Sequence, residues 1–203
     1  MRLFATHIVA ALIFIFVFSG ITFSQSRKNA EILTDLVDES LTFISQGWSS
    51  QNPEVYINYT SQNNFRFFKD RVAAELMNAG TKLITDKDSA ELILNYTIYS
   101  VNIDYNETFR DGLFSDYLVE REAGLNCSFS LEKNDEVIDA ANLVFSNVDT
   151  VKYAEIKDLE NVLLPFTQAE IPPEPFFSSL LEPVIAIATA VVTLFLFFTV
   201  RSK

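Results

Sequence analysis

The chain has 203 residues and a formal net charge of −12 at pH 7, and hydrophobic residues make up 49% of it. One cysteine, 5 glycines and 6 prolines exclude a disulfide-rich scaffold, a collagen-like chain and a low-complexity chain. The longest apolar runs lie near the two ends, so we expect one globular domain between two apolar segments.

The N-terminal segment has the layout of a secretory signal peptide. A single arginine precedes an uncharged apolar run over residues 8–18, and small and polar residues follow it. As an α-helix this run spans only about 16 Å, less than the roughly 30 Å hydrocarbon core of a bilayer. We therefore predict a signal peptide over residues 1–24 that is cleaved after Ser24. The alternative is an uncleaved signal anchor, with the helix extended over residues 3–23.

Residues 25–164 are predicted to form one extracytoplasmic α+β domain. Apolar residues at helical spacing alternate with runs of β-branched and aromatic residues that have a period of two. We expect a mainly antiparallel sheet of three or four strands with helices on one face. The predicted elements, in chain order, are helix Asn29–Gln46, strand Glu54–Thr60, helix Asn64–Ala79, strand Lys82–Thr85, strand Glu91–Tyr105, strand Asp116–Glu122, strand Leu125–Lys133, strand Glu136–Val148 and helix Val151–Leu164.

One part of this domain resembles a known family. Residues 68–98 contain, in order, the helical run FKDRVAAELM, the pair Ala79-Gly80, the short run KLITD, the pair Ser89-Ala90 and the strand run LILNYTI. This order resembles the periplasmic α/β domains of curli-secretion-type and TolB N-terminal-type envelope proteins. The resemblance implies an assembly or accessory role in the envelope, and it brings no catalytic residues with it.

The C-terminal segment is predicted to be a transmembrane helix over residues 180–200. Its residues from 184 onward carry no charge, and as a helix the segment is about 31 Å long. Residues 165–179 are predicted to be a Pro-rich spacer, and the basic tail at residues 201–203 is assigned to the cytoplasm by the positive-inside rule. We therefore expect a protein of the bacterial inner membrane, with its domain in the periplasm and its C-terminus in the cytoplasm.

The residue types exclude most catalytic arrangements. Cys127 is the only cysteine, and the only histidine, His7, lies within the predicted signal peptide. A mature chain without histidine has no Ser-His-Asp or Cys-His arrangement, no histidine ligand for zinc and none for haem. The alternating run around Cys127 indicates a core thiol rather than a reactive one. We therefore predict no enzyme, no catalytic, cofactor-binding or metal-binding residues and no cofactor.

Two alternatives to a non-enzymatic protein remain open. Pairs of neighbouring acidic residues are compatible with a carboxylate-based hydrolase acting on envelope glycans. These pairs are Asp86 with Asp88, Glu120 with Glu122, and Asp135 with Glu136. A sorted surface protein is the second alternative, because Pro173-Glu174-Pro175 before an apolar segment is similar to the PEP-type tail that exosortases cleave.

The charge pattern also restricts the partners. No basic stripe is present that would neutralise phosphates, so we exclude nucleic acid as a partner. The basic residues Arg66, Lys69 and Arg71, beside several phenylalanines, indicate an amphipathic helix with its aromatic face in the core, and a contact surface is the alternative. We expect a single-pass, membrane-anchored, non-enzymatic accessory domain of the bacterial envelope, with other envelope proteins as partners.

Overall fold

The computed structural model describes residues 26–48, 52–110, 115–173 and 178–200, with the side chains of the last range described for residues 184–198. The predicted signal peptide over residues 1–24 and the predicted cytoplasmic tail lie outside the described residues. The helices and strands, in chain order, are α1 (Asn29–Gln46), β1 (Glu54–Ser61), α2 (Phe68–Asn78), β2 (Lys82–Leu83), β3 (Leu92–Arg110), β4 (Tyr117–Lys133), β5 (Glu136–Lys152), α3 (Ile156–Leu159) and α4 (Ser178–Val200).

The strands form one mixed sheet in the order β2-β1-β3-β4-β5. β1 pairs in parallel with both β2 and β3, while β3, β4 and β5 form an antiparallel meander. The expected mainly antiparallel sheet of three or four strands is therefore wrong. The physical reason is the connection from β1 to β2, which runs through α2 and brings the chain back in the same direction.

The antiparallel part of the sheet is built from long strands. β3 has 19 residues, and β4 and β5 have 17 each. The two strands expected over residues 116–122 and 125–133 are one continuous strand, β4, because Gly124 keeps its place in the ladder opposite Asn102. A Cβ atom at residue 124 would lie 2.7 Å from Asn102 Oδ1, so glycine fits this position without a shift of the Asn102 side chain.

The end of β5 also differs from the expectation. A helix was expected over Val151–Leu164, but β5 continues to Lys152. A 3-10 turn over Tyr153–Glu155 and the single-turn helix α3 follow it. Val151 is buried and opposite Val119 of β4, so cross-strand packing overrides the helical spacing of the later apolar residues.

The core lies between the helices and one face of the sheet. α1 buries an apolar stripe against that face, and its observed bounds are those expected from the sequence. The buried apolar residues of α1 are Ile32, Leu33, Leu36, Val37, Leu41 and Ile44. On the sheet, alternate residues of β3 and β4 point into the same core, as the period of two requires.

The predicted C-terminal transmembrane helix needs correction. Across the described ranges, no helix has both the length and the apolar character needed to cross a membrane. The expectation of an integral membrane protein held by a single helix over residues 180–200 is corrected accordingly.

Candidate functional site

A fully buried arginine links β4 to three other parts of the chain. Arg121 Nε and Nη2 donate to Asp149 Oδ1 and Oδ2 of β5 at 2.8 and 2.5 Å. Its Nη1 donates to Asn29 Oδ1 at 2.7 Å and to the backbone oxygen of Arg27 at 2.8 Å. Because Arg121 is 0% exposed, its charge depends on these acceptors.

Asn29 extends this set of contacts to the last part of the domain. Its Nδ2 donates to Tyr105 Oη at 2.8 Å and to the backbone oxygen of Thr167 at 2.7 Å. Burial raises the pKa of Tyr105 above its ordinary value. We refer to Arg121, Asp149, Asn29, Tyr105 and Thr167 as the Arg121 cluster. Its polar atoms form hydrogen bonds with one another, so the cluster stabilises the fold and is not arranged to receive a ligand.

Two grooves border residues 171–173, and Tyr105 of the Arg121 cluster lines one of them. One, of about 360 Å³, is lined by Asp104, Tyr105 and Glu170, among others. The other, of about 480 Å³, is lined by Tyr153, Ile156 and Lys157, among others. Tyr153 Oη donates to the backbone oxygen of Pro172 at 2.9 Å, which holds the intervening segment against the domain.

The acidic pairs singled out in the sequence lie at three separate places. Asp86 accepts hydrogen bonds from Asp88 N at 3.3 Å and from Ser89 Oγ at 2.6 Å, so it stabilises the turn before β3. Glu120 Oε1 accepts from Asn106 Nδ2 at 3.3 Å. Asp135 lies in the exposed hairpin turn between β4 and β5. The structure therefore does not bring the three pairs together.

The described residues contain no buried aspartate or glutamate. No group of three or more histidine, cysteine, aspartate or glutamate side chains there is placed to hold a metal ion.

The cysteine and the aromatic helix face lie in the core, as predicted. Cys127 is 0% exposed, and burial raises the pKa of its thiol. Phe65 and Phe68 are buried, and the ring centroids of Phe68 and Phe166 are 5.3 Å apart. Phe67, at 48% exposed, is the one of the three phenylalanines beside the basic residues that remains accessible.

The face of the sheet opposite the core is polar. Asn58 Nδ2 donates to Asn95 Oδ1 at 3.0 Å across β1 and β3. Asn95 Nδ2 in turn donates to Ser130 Oγ at 3.1 Å and to Glu132 Oε1 at 2.6 Å on β4. These side chains satisfy one another across three strands, which allows this face to lie in water.

The edge strand β5 differs from the rest of the surface. β4 is its one partner among the described strands, so the other edge of β5 carries main-chain groups without a strand partner. Large apolar side chains are exposed along it, namely Val137 (63%), Ile138 (52%), Val144 (77%) and Val148 (56%). Between Asp139 and Asp149 it contains no charged residue and no proline.

Natural sheets usually protect such an edge. Lysines, prolines, bulges or very short strands prevent an edge from pairing with another chain. β5 has 17 residues, and its register with β4 is regular from Asp139 to Lys152. We call residues 136–152 the β5 edge and take it as the candidate functional site. The sequence predicted only a strand here, because an uncharged run such as that between Asp139 and Asp149 does not distinguish an edge strand from a central one.

No protein-family model matches the sequence, and no curated protein matches it. Among solved structures, the chain is similar to a minor lipoprotein of Acinetobacter baumannii, with 10% identity and a TM-score of 0.33, over 52% of this chain and 76% of that one. It is similar to a lipoprotein of Neisseria meningitidis, with 8% identity and a TM-score of 0.33, over 70% and 98% of the two chains. It is also similar to rare lipoprotein B of Shewanella oneidensis, with 10% identity and a TM-score of 0.34, over 68% of this chain and 98% of that one. All three are named as lipoproteins.

Proposed function

We propose that this chain is a non-enzymatic accessory protein of the bacterial envelope that binds a partner protein by adding a strand to the β5 edge. The observation that carries the proposal is the long β5 edge, which exposes apolar side chains and main-chain groups without a strand partner. In strand addition, main-chain hydrogen bonds supply affinity and alternate side chains supply specificity.

The form of the β5 edge favours an ordered partner strand over a small ligand. At about 3.4 Å per residue, its 17 residues extend over roughly 58 Å. The two grooves that border residues 171–173 are not lined by residues of β5. A strand laid along β5 would cover Val144 and Val148, the most exposed large apolar residues of its central part.

The envelope part of the proposal rests on the sequence. Residues 1–24 have the order of charge, apolar run and small residues that signal peptides have. The resemblance of residues 68–98 to periplasmic α/β domains stays a prediction and supports the same compartment. An intact mass that begins at Gln25 in the protein isolated from cells would support export, and an unprocessed mass in the cytoplasmic fraction would contradict it.

Photo-crosslinking from β5 in living cells tests the binding function. A photoreactive phenylalanine analogue replaces Val144 in one variant and Val162 in a control variant. Both valines are highly exposed, at 77% and 84%, but Val162 lies in the loop after α3, outside the β5 edge. We expect a discrete protein crosslink from position 144 and not from position 162. The absence of any protein crosslink from position 144 would overturn the proposed function.

A further inference from the structure

We infer that the strand added to the β5 edge comes from a second copy of this chain, in an antiparallel pair related by a two-fold axis at Val144. This inference rests on the proposed function and names its partner. Such an axis, perpendicular to the sheet, joins the two sheets edge to edge and leaves the helices of both copies on the same face.

The sequence of β5 is complementary to itself in this register. Val144 lies opposite Val144 of the second copy, and Ala140 lies opposite Val148. Asn142 lies opposite Ser146, so polar residues meet polar residues on the same face. Because directly opposite side chains on one face lie about 4.5–5.5 Å apart, the pairing covers both exposed valines at once.

The register of β5 shifts by one residue between Asp139 and Val137, so the symmetric pairing is confined to residues 139–149. Within this part the register brings one pair of charged residues together. On the core-side face, Asp139 lies opposite Asp149, whose charge is already balanced by the two hydrogen bonds from Arg121.

Salt distinguishes a second copy from a partner of opposite charge. Each copy carries a formal net charge of −12, so two copies repel one another at long range. Added salt screens this repulsion, because the Debye length falls from about 30 Å at 0.01 M to about 10 Å at 0.1 M ionic strength. Self-association through β5 is therefore expected to strengthen between these concentrations, whereas binding of a basic partner would weaken.

Cysteine crosslinking tests the register in the purified full chain, with mild detergent covering the exposed apolar side chains of α4. Val144→Cys places two thiols side by side at the two-fold axis, and we expect rapid formation of a disulfide-linked dimer under mild oxidation. Val148→Cys is the matched control, since its two thiols would lie roughly 27 Å apart. The buried Cys127 is not expected to react, and the unsubstituted chain checks this. Equal crosslinking of both variants would overturn the register.

Sedimentation equilibrium tests the association itself. We expect the unsubstituted chain to form dimers, and Val144→Lys to weaken them by about tenfold or more, because like charges would lie directly opposite each other. Val162→Lys introduces the same side chain at an exposed valine outside the β5 edge and should leave the dimer unchanged. A monomer at about 100 µM in 0.1 M salt, or a dimer that Val144→Lys leaves intact, would overturn the inference.

The two proposals fail in different ways. If position 144 crosslinks only to a different protein in cells and the purified chain is monomeric, the second copy is excluded while strand binding at β5 stands. If position 144 crosslinks to the chain itself, both proposals are supported. If it crosslinks to no protein, both are overturned.

Discussion

Tyr96 places a hydroxyl group in the centre of the apolar core. The residue is 0% exposed, and its Oη lies 2.6 Å from Ser40 Oγ. Ser40 Oγ donates to the backbone oxygen of Val37 at 2.7 Å, which leaves the tyrosine as the donor between the two hydroxyls. Burial raises the pKa of Tyr96 well above its ordinary value of 10, because an ionised phenolate there would have no water around it.

This buried phenol predicts a loss of stability at alkaline pH. In the unfolded chain the tyrosine ionises near pH 10, whereas in the folded chain it stays neutral. The free energy of unfolding is therefore unaffected by this group below about pH 10 and falls above it, by about 1.4 kcal/mol per pH unit. We expect Tyr96→Phe to remove that contribution to the slope, as measured by urea unfolding between pH 8 and pH 11.

Ser40→Ala is the matched control for this prediction. It removes the same hydrogen bond, worth about 1 kcal/mol near neutral pH, but it keeps the phenol and therefore the alkaline slope. Parallel stability curves for Tyr96→Phe and the unsubstituted chain would contradict the role assigned to Tyr96.

The position of Arg121 shows why a buried charged site is hard to predict from sequence. The residue lies between Glu120 and Glu122 in a run where charge indicates a solvated face. Its acceptors Asp149 and Asn29 are 28 and 92 positions away. No local spacing connects three such residues, and only the register of β4 with β5 and the packing of α1 bring them together.

The hairpin between β4 and β5 turns at Asn134 and Asp135, two residue types that are common in tight turns. Asn134 and Asp135 both have positive φ angles, of 52° and 61°, which the tight two-residue hairpin turn requires. Glycine is favoured at the second of these positions because it adopts positive φ without a steric cost. Aspartate tolerates the conformation less well.

Asp135→Gly is therefore expected to raise the free energy of unfolding by roughly 0.5–1 kcal/mol, measured by urea unfolding at pH 7. Asp135→Ala removes the same carboxylate but keeps a Cβ atom, so it should lower the stability instead. A gain in both variants would indicate that the charge of Asp135, and not its backbone conformation, limits the stability of this turn.

Other elements show where local patterns stop being informative. The apolar spacing of α1 predicted its bounds, because a helix is defined by contacts within a few residues. The alternation of Val55, Ile57 and Tyr59 predicted the strand β1 but contains no information on its direction relative to β3. Strand direction follows from the path of α2 across the sheet, which is a property of the connection and not of the strand.

At the scale of the whole molecule, the Arg121 cluster joins the start of the domain to its end. Asn29 is the first residue of α1, and Thr167 lies in the last 3-10 turn of the domain, 138 positions later. Thr167 Oγ1 also accepts a hydrogen bond from Asn161 N at 2.9 Å, so the loop after α3 is held through the same residue. Both regions depend on one buried amide side chain.

Asn29→Ala is expected to destabilise the fold by about 3 kcal/mol, because buried groups of Arg121, Tyr105 and Thr167 each lose a partner. Hydrogen exchange should become faster both at the start of α1 and in residues 160–168. Arg27→Ala is the control, since it removes only an exposed ion pair with Asp35 and should change the stability by less than about 1 kcal/mol. Faster exchange in α1 alone would contradict the link.

The sequence indicates a strand with an uncharged central run, but it does not indicate that this strand lies at the edge of the sheet. The uncharged run from Ala140 to Val148 resembles that of a strand buried between neighbours. That β5 is the last strand of the sheet follows from the strand order, which depends on how β1, β2 and β3 assemble. The same run of residues in a central strand would have been ordinary core.

The link between Asn29 and Thr167 also has a mechanical consequence. A stretching force applied through residues 29 and 167 would load the Arg121 cluster before the long strands, because the side chain of Asn29 is bonded directly to the backbone oxygen of Thr167. The hydrogen bonds from Asn29 to Thr167 and from Arg121 to Asn29 would bear that tension, while the ladder between β4 and β5 would stay unloaded until they break. The contact between Asn29 and Thr167 therefore acts as a mechanical clamp. As long as it holds, a pull on the two ends of the domain leaves the shape of the β5 edge unchanged.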